Sequence, residues 1–382
     1  MRTPVTELLG IELPLLAFSH CRDVVAAVTN AGGFGVLGAA SHTPEQLEHE
    51  LDWIDAHVAG RPYGVDLIAP ATYAGKGEGG DPVGLWERIP AAHREFVDDL
   101  LTAHGVEPPE PPPVGRRRRP GLTEEHARDC LDIAFAHPIR LIANALGVPP
   151  DYMVARGKAE GVAVAALVGT RHHAVRQVEA GVDLIVAQGT EAGGHVGEVA
   201  TMVLVPEVVD AVAEAAAAHG EEPVPVLAAG GIVNGAQMAA ALALGAAGVW
   251  TGSVWLTCEE AETAPATKAK FVAATSGDTV RSRSRTGKPC RQLRSAWTEA
   301  WDGPDAPPAL PMPIQSLISE PALRRVDRLA EGGHEGAREL ATYFVGQGVG
   351  MMNRVRPARE VVYSMAEEFA EAVERAAAFL EE

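Results

Sequence analysis

The chain has 382 residues, with 47% hydrophobic and 22% charged side chains, 40 glycines and only 5% aromatics. That composition excludes a disordered or fibrous protein. The formal net charge, 32 − 51 = −19, excludes a broad nucleic-acid footprint and speaks for solubility rather than for any one partner.

Short apolar runs alternate with helix-like stretches. LPLLAF (13–18) and FGVLGA (34–39) read as buried strands with a helical stretch between them. A helix then opens at Thr43-Pro44-Glu45, where Thr43 suits an N-cap and Pro44 the first helical position. YGVDLIA (63–69) is the third strand. The rhythm breaks over about 71–122, with GKGEGGDP, one polar helix-like stretch and six prolines between 108 and 120. This insertion reads as an exposed, partly mobile loop, placed so that it could act as a lid. Its Arg116–Arg119 run reads as a solvated loop, with an acidic partner or a CoA phosphate as the alternative.

Alternation resumes with a helix (123–137), RLIANAL (140–146), a helix (149–160), VAVAALV (162–168), a helix (171–180) and DLIVAQG (183–189). A helix (202–219), VPVLAAGG (224–231), a helix (235–244) and AGVWTGS (247–253) complete the series. The strands are apolar throughout, as expected of parallel strands covered on both faces. Eight strand–helix units point to an α/β protein, a (β/α)8 TIM barrel, over a doubly wound open sheet. Residues 1–260 form the expected barrel, with the inserted segment after strand three, and 261–382 a helical extension packed on it. Within the extension, DTVRSRSRTGKPCRQLR (278–294) reads as a basic loop, and YFVGQGVG (343–350) as a glycine-rich turn near the active face.

Active sites of such barrels gather at the carboxyl ends of the strands. After strand six comes AQGTEAGGHVG (187–197), whose glycines let backbone amides approach a ligand. There Gln188 offers an amide and His195 an imidazole that moves protons near neutral pH. After strands seven and eight come AAGGIVNG (228–235) and WTGSVW (250–255). Gly230, Gly231, Gly252 and the Ser253 hydroxyl suit a phosphate, assisted by the N-terminus of a short helix. Cys21, Cys130, Cys258 and Cys290 are far apart in sequence, so no zinc or redox spacing exists and no metal is expected. No signal peptide or 20-residue apolar run is present, and a cytoplasmic location with free thiols is the expectation. A homo-oligomer is allowed but not required. These residues leave open whether the phosphate belongs to a flavin or to a sugar phosphate.

NAGGFGVLGA (30–39), QGTEAGGHVG (188–197), PVLAAGGI (225–232) and GVWTGS (248–253) together resemble the nitronate monooxygenase family, formerly the 2-nitropropane dioxygenases. The chain is similar to the actinobacterial members with a long insertion. The resemblance covers about residues 4–260, and extends more weakly through TGKPCR (286–291) and VGQGVG (345–350). It implies a TIM barrel holding FMN without a covalent bond. His195 takes the place of the family's catalytic histidine. The implied cofactor contacts are Gln188, Gly193, Gly231 and the turn Trp250–Thr251–Gly252–Ser253, with Ala17, Phe18, Asp66, Gly194 and Gly230 beside them. The implied reaction is oxidation of a small alkyl nitronate by O2 to a carbonyl compound and nitrite. The alternative is a flavin dehydrogenase or enoyl reductase acting on an acyl-CoA or acyl-carrier thioester. That reductase group shares the G-G-H triplet, but tends to carry glutamate where this chain has Gln188. Two departures stand out. Phe18, Ser19 and His20 replace the family's Q-A-P-M-like first loop, and Asp66 replaces an asparagine. An ionised carboxylate at 66 would oppose a reduced, anionic flavin unless it were protonated or turned away.

Overall fold

Eight parallel strands close into a barrel in a computed structural model that describes residues 1–69, 86–110 and 124–380. They are β1 (Leu15–Ser19), β2 (Phe34–Gly38), β3 (Gly64–Leu67), β4 (Leu141–Asn144), β5 (Ala163–Val168), β6 (Leu184–Gln188), β8 (Val226–Ala229) and β9 (Gly248–Thr251), with β9 pairing back onto β1. A two-residue strand, β7 (Gly194–His195), lies outside the ring. Every strand expected from the sequence is present, its ends within one or two residues of the expected ones and the first strand running one residue further, to Ser19. Side chains alternate in and out with the period of two of extended backbone. Leu16, Phe34, Val36, Leu141, Ala143, Leu184, Val186 and Leu227 fill the interior. Leu15, Leu37, Val65, Leu67, Ile142 and Ile185 pack outward under the helices. Both faces are apolar, which is why the strands read as continuous runs.

The outer layer is α2 (Arg22–Asn30), α3 (Pro44–His57), α5 (Glu124–Ala136), α6 (Asp151–Glu160), α7 (Arg171–Glu179), α8 (Thr201–His219) and α9 (Gly235–Ala243). Thr43 caps α3 as expected, accepting the Gln46 N–H at 3.2 Å, with Pro44 in the first turn. A short helix, α1 (Pro4–Leu9), sends Val5 and Leu9 into the interior cluster. It plugs the amino-terminal end, leaving the carboxyl end as the open one.

The insertion differs from its sequence reading. Residues 71–85 and 111–122 lie outside the described residues, and the Arg116–Arg119 run lies there too. The described part contains α4 (Ala91–Ala103), which is anchored rather than exposed. Val97 and Leu101, with Ile89 and Val106, join a second hydrophobic core with Trp297, Trp301, Ile318, Leu323 and Val326. The helix looks polar because only one narrow stripe of it is apolar, and that stripe is what the extension covers.

The extension is not purely helical. It runs α10 (Pro265–Ala273), β10 (Thr279–Ser282), β11 (Cys290–Leu293), α11 (Ala296–Trp301), α12 (Ile314–Glu331), α13 (Glu335–Leu340) and α14 (Ala358–Ala377). Strands β10 and β11 form an antiparallel sheet whose third member is β7. Among the described residues, no helix is long and apolar enough to cross a membrane.

Candidate active site

The period-two alternation decides which strand-end side chains reach the barrel mouth. Phe18, Asp66, Gln188 and Trp250 continue the inward rows of Leu16, Gly64, Val186 and Gly248. Phe18 stacks on Trp250 with ring centroids 6.2 Å apart, so two aromatic rings wall one side of the mouth. Ala17 packs in the outer cluster, and the buried Thr251 hydroxyl donates to Leu16 O at 2.9 Å. Only the backbone of these two residues is left for a ligand.

His195 stands on β7, paired in register with Cys290 of β11. Its Nε2 shares a 2.8 Å hydrogen bond with Thr286 Oγ1, and its ring lies 6.2 Å from that of Phe344. Solvent reaches the imidazole, yet the surrounding protein partly desolvates it. That desolvation, with the Lys288 charge added, lowers its pKa to about 4. The ring is therefore a neutral base at neutral pH.

The loop carrying His195 is fixed from three directions. The Glu191 carboxylate accepts the Thr201 N–H at 2.9 Å, at the N-terminus of α8. Arg291 donates to Thr190 O at 2.7 Å. The 343–350 segment presses on it from above, with the Gln347 N–H donating to Glu191 O at 2.9 Å. A Cβ on Gly193 would stand 2.9 Å from the Gly346 nitrogen, and one on Gly346 would stand 2.5 Å from Glu191 O. The two glycines let two backbones touch.

The expected phosphate loops stand beside this contact. Gly230 and Gly231 both have positive φ, at 109° and 74°. The Gln237 side chain pins the turn, donating to Gly231 O and accepting the Val233 N–H, both at 2.8 Å. A Cβ on Gly252 would meet nothing nearer than Phe18 at 4.0 Å, so this residue faces open space. Ser253 Oγ accepts the Gly346 N–H at 2.8 Å, which leaves its own proton free to donate. The expected help from a helix N-terminus takes a different form. The first N–H of α9, at Gly235, donates to Glu368 of α14 at 2.8 Å. What opens at Ser253 is a five-residue 3-10 turn.

Asp66 is buried, and desolvation alone holds its carboxyl well above the usual carboxylate range. It makes no side-chain hydrogen bond with any described residue. A neutral carboxylic acid there removes the conflict that an ionised one would create. His20, in the altered first loop, donates its Nδ1–H to Gly38 O at 2.7 Å and meets Phe18 edge-on. Burial is the first cause of its lowered pKa, opposed by the Gly38 bond and aided by His42. The four cysteines are buried, free thiols, and burial pushes Cys130 and Cys290 up to about 11 and Cys258 to about 12. None is a thiolate nucleophile.

Sequence reasoning did not single out Thr286, Lys288, Arg291 or Gly346. Their signal was the weaker TGKPCR and VGQGVG resemblance, which the fold brings against His195 and Ser253. A separate cavity of about 370 Å³ lies under α10, lined by Lys270, Arg338 and Tyr343. Its Lys270 ammonium already bonds Arg338 O and Ala341 O, so the chemistry points to the barrel mouth instead.

Comparison with known proteins identifies the family and the fold. The nitronate monooxygenase family model matches residues 3–368. A Mycobacterium tuberculosis protein provisionally named a monooxygenase is 60% identical over 381 residues, covering 98% of each chain. Another from the same organism, a 5-hydroxy-7a-methyl-1-oxo-octahydro-1H-indene-4-carboxyl-CoA dehydrogenase, is 30% identical over 78% of this chain and 68% of its own. The solved nitroalkane oxidase from Streptomyces ansochromogenes superposes with a TM-score of 0.78 at 26% identity, covering 97% of this chain and 99% of its own. The chain is thus an oxidoreductase built on a (β/α)8 barrel, and it belongs to the nitronate monooxygenase family.

Proposed function

We propose that this protein is an FMN-dependent monooxygenase that oxidises small alkyl nitronates with O2 to a carbonyl compound and nitrite. The observation that carries this reading is a neutral imidazole, His195, clamped by Thr286 at the mouth of a barrel whose neighbouring loops suit a phosphate. FMN fits the residues present. Gly231, Gly252 and the Ser253 hydroxyl would hold its phosphate, with Gly193, Gly194 and Gly230 keeping the surrounding backbone close. Phe18 and Trp250 offer apolar walls. Gln188 and the protonated Asp66 offer hydrogen bonds to a ring, the latter as a donor. When bound, FMN supplies the electron-accepting chemistry, while the protein supplies orientation and electrostatics. His195 accepts a proton or a hydrogen bond from the substrate, and the closed lower end of the barrel keeps water from below.

The 30% identity to the indene-carboxyl-CoA dehydrogenase supports a second reading, a flavin dehydrogenase or enoyl reductase for acyl thioesters. One experiment separates the two. Purified protein should be yellow and release FMN on heating, and a colourless preparation would sink both. Under anaerobic conditions propyl-2-nitronate should bleach the flavin, whereas NADPH and acyl-CoA should not. Bleaching by NADPH or acyl-CoA alone would replace the first reading by the second.

A further inference from the structure

Residues 281–294 carry six basic side chains and no acidic one, in a chain of net charge −19. Four of the six make a side-chain hydrogen bond or ion pair, and a fifth sits among carboxylates. Arg281 pairs with Glu198 at 2.9 Å and Arg285 with Glu320 at 2.8 Å. Arg291 donates to Thr190 O at 2.7 Å, and Arg283 to Gly287 O at 3.0 Å. Arg294 lies in the field of Asp278 and Asp302. Lys288 is different. Its side chain is exposed and makes no hydrogen bond or ion pair with any described residue, and its positive charge helps to keep the His195 ring neutral.

The backbone presenting this ammonium is fixed. Gly287 has φ +84°, and a Cβ there would stand 2.0 Å from Leu310 O, so the turn is wedged against the 310–312 segment. The Gly287 N–H bonds Arg283 O at 2.9 Å. The Lys288 N–H donates to Thr286 Oγ1 at 3.3 Å, the same atom that bonds His195 Nε2 at 2.8 Å. One turn therefore carries the imidazole's partner and the unpaired cation together. The nearby guanidiniums of Arg281, Arg285 and Arg291 are already held by Glu198, Glu320 and Thr190, so Lys288 is the free positive charge beside the neutral ring.

We propose that Lys288 is the anion-selecting residue of the His195 site, binding the negatively charged head of a compact, nitronate-class substrate beside the imidazole. This rests on the reading of His195 as the catalytic histidine. A compact ammonium with three donors suits a small anion whose charge lies on two oxygens. A neutral ring beside it neither repels the cation nor competes for the anion. The acidic exterior makes this local positive field the feature that guides an anion to the mouth.

The test compares wild type, K288R and K288Q as full-length proteins. With propyl-2-nitronate, K288Q should raise KM about tenfold with kcat changed less than about threefold, and K288R should restore most of the loss. The loss should shrink at high salt. Removing the cation should also raise the His195 pKa towards 6.5, read from its ring resonances, a change that a merely structural lysine would not cause. Nitrite supplies a second probe that needs no turnover: its dissociation constant should weaken about tenfold in K288Q. If wild type ignores nitronate but binds nitrite in a Lys288-dependent way, the proposed substrate fails and anion selection stands. Equal KM, equal nitrite affinity and an unmoved His195 pKa in K288Q would overturn the proposal, whatever the substrate.

Discussion

His195 owes its low proton affinity to crowding first and to the Lys288 ammonium second. A base whose folded pKa lies at about 4, against an ordinary 6.5, is unprotonated through the neutral range. Activity should then be flat across neutral pH and fall as pH drops through about 4, once the substrate's own ionisation is corrected for. A break near 6.5 would mean that the ring is not crowded in solution. His195→Ala should keep FMN yet lose roughly 10²–10⁴-fold in turnover, as removal of a positioned base does; full activity would end that assignment. Asp66 gives a prediction of opposite sign. Its carboxyl is raised from 3.8 in the folded state, so folding favours the proton. Stability is untouched below that value and declines as pH climbs from it towards the raised folded pKa. Asp66→Asn mimics the neutral acid, so its Tm should match or exceed wild type by a margin that grows with pH. A variant uniformly less stable at every pH would show that Asp66 is not held neutral.

At the level of elements, the barrel strands were legible and the strands of the extension were not. FGVLGA and RLIANAL announce themselves because both faces are buried and no polar residue interrupts them. Strands β10 and β11 are TVRS and CRQL, with no apolar period at all. Their polar groups find partners inside the fold: Ser282 donates to Asp302 at 2.8 Å, and Gln292 to Ser284 at 3.1 Å. Satisfied buried polar groups leave no trace in a hydropathy pattern. For the same reason the sequence revealed His195 but not Thr286, 91 residues away, which holds it. The glycine contact between the 343–350 segment and the His195 loop can be tested directly. Gly346 has φ −81°, which any residue accepts, so crowding alone demands glycine there. Gly346→Ala should cost about 1–3 kcal/mol, as overpacking does. It should also weaken FMN binding, because relieving the clash shifts the backbone N–H that orients Ser253. An unchanged urea midpoint and an unchanged FMN affinity would show that the contact is loose.

Among the described residues, apolar side chains fill the barrel interior, the layer under its outer helices and a separate cluster in which the insertion meets the extension. The last helix ties the end of the chain to the barrel. Val361, Val362 and Met365 of α14 are fully buried, and Glu368 caps α9. At about 1.5–3 kcal/mol for each buried side chain, these three alone rival much of the roughly 5–15 kcal/mol that stabilises a domain. A chain ending at Pro357 should therefore lose most of its cooperative melting transition by circular dichroism. A truncated protein melting within a few degrees of the full chain would contradict this.

The pairing of β7 with β11 also fixes an order of events during synthesis. The eighth barrel strand ends at Thr251, but the partner of His195 in that small sheet is Cys290, and the backbone that meets Gly193 arrives only at Gly346. At roughly 5–20 residues per second, a growing chain spends several seconds with every barrel strand made and its histidine still unsupported. The barrel is the earlier product of translation, and the enzyme is the later one.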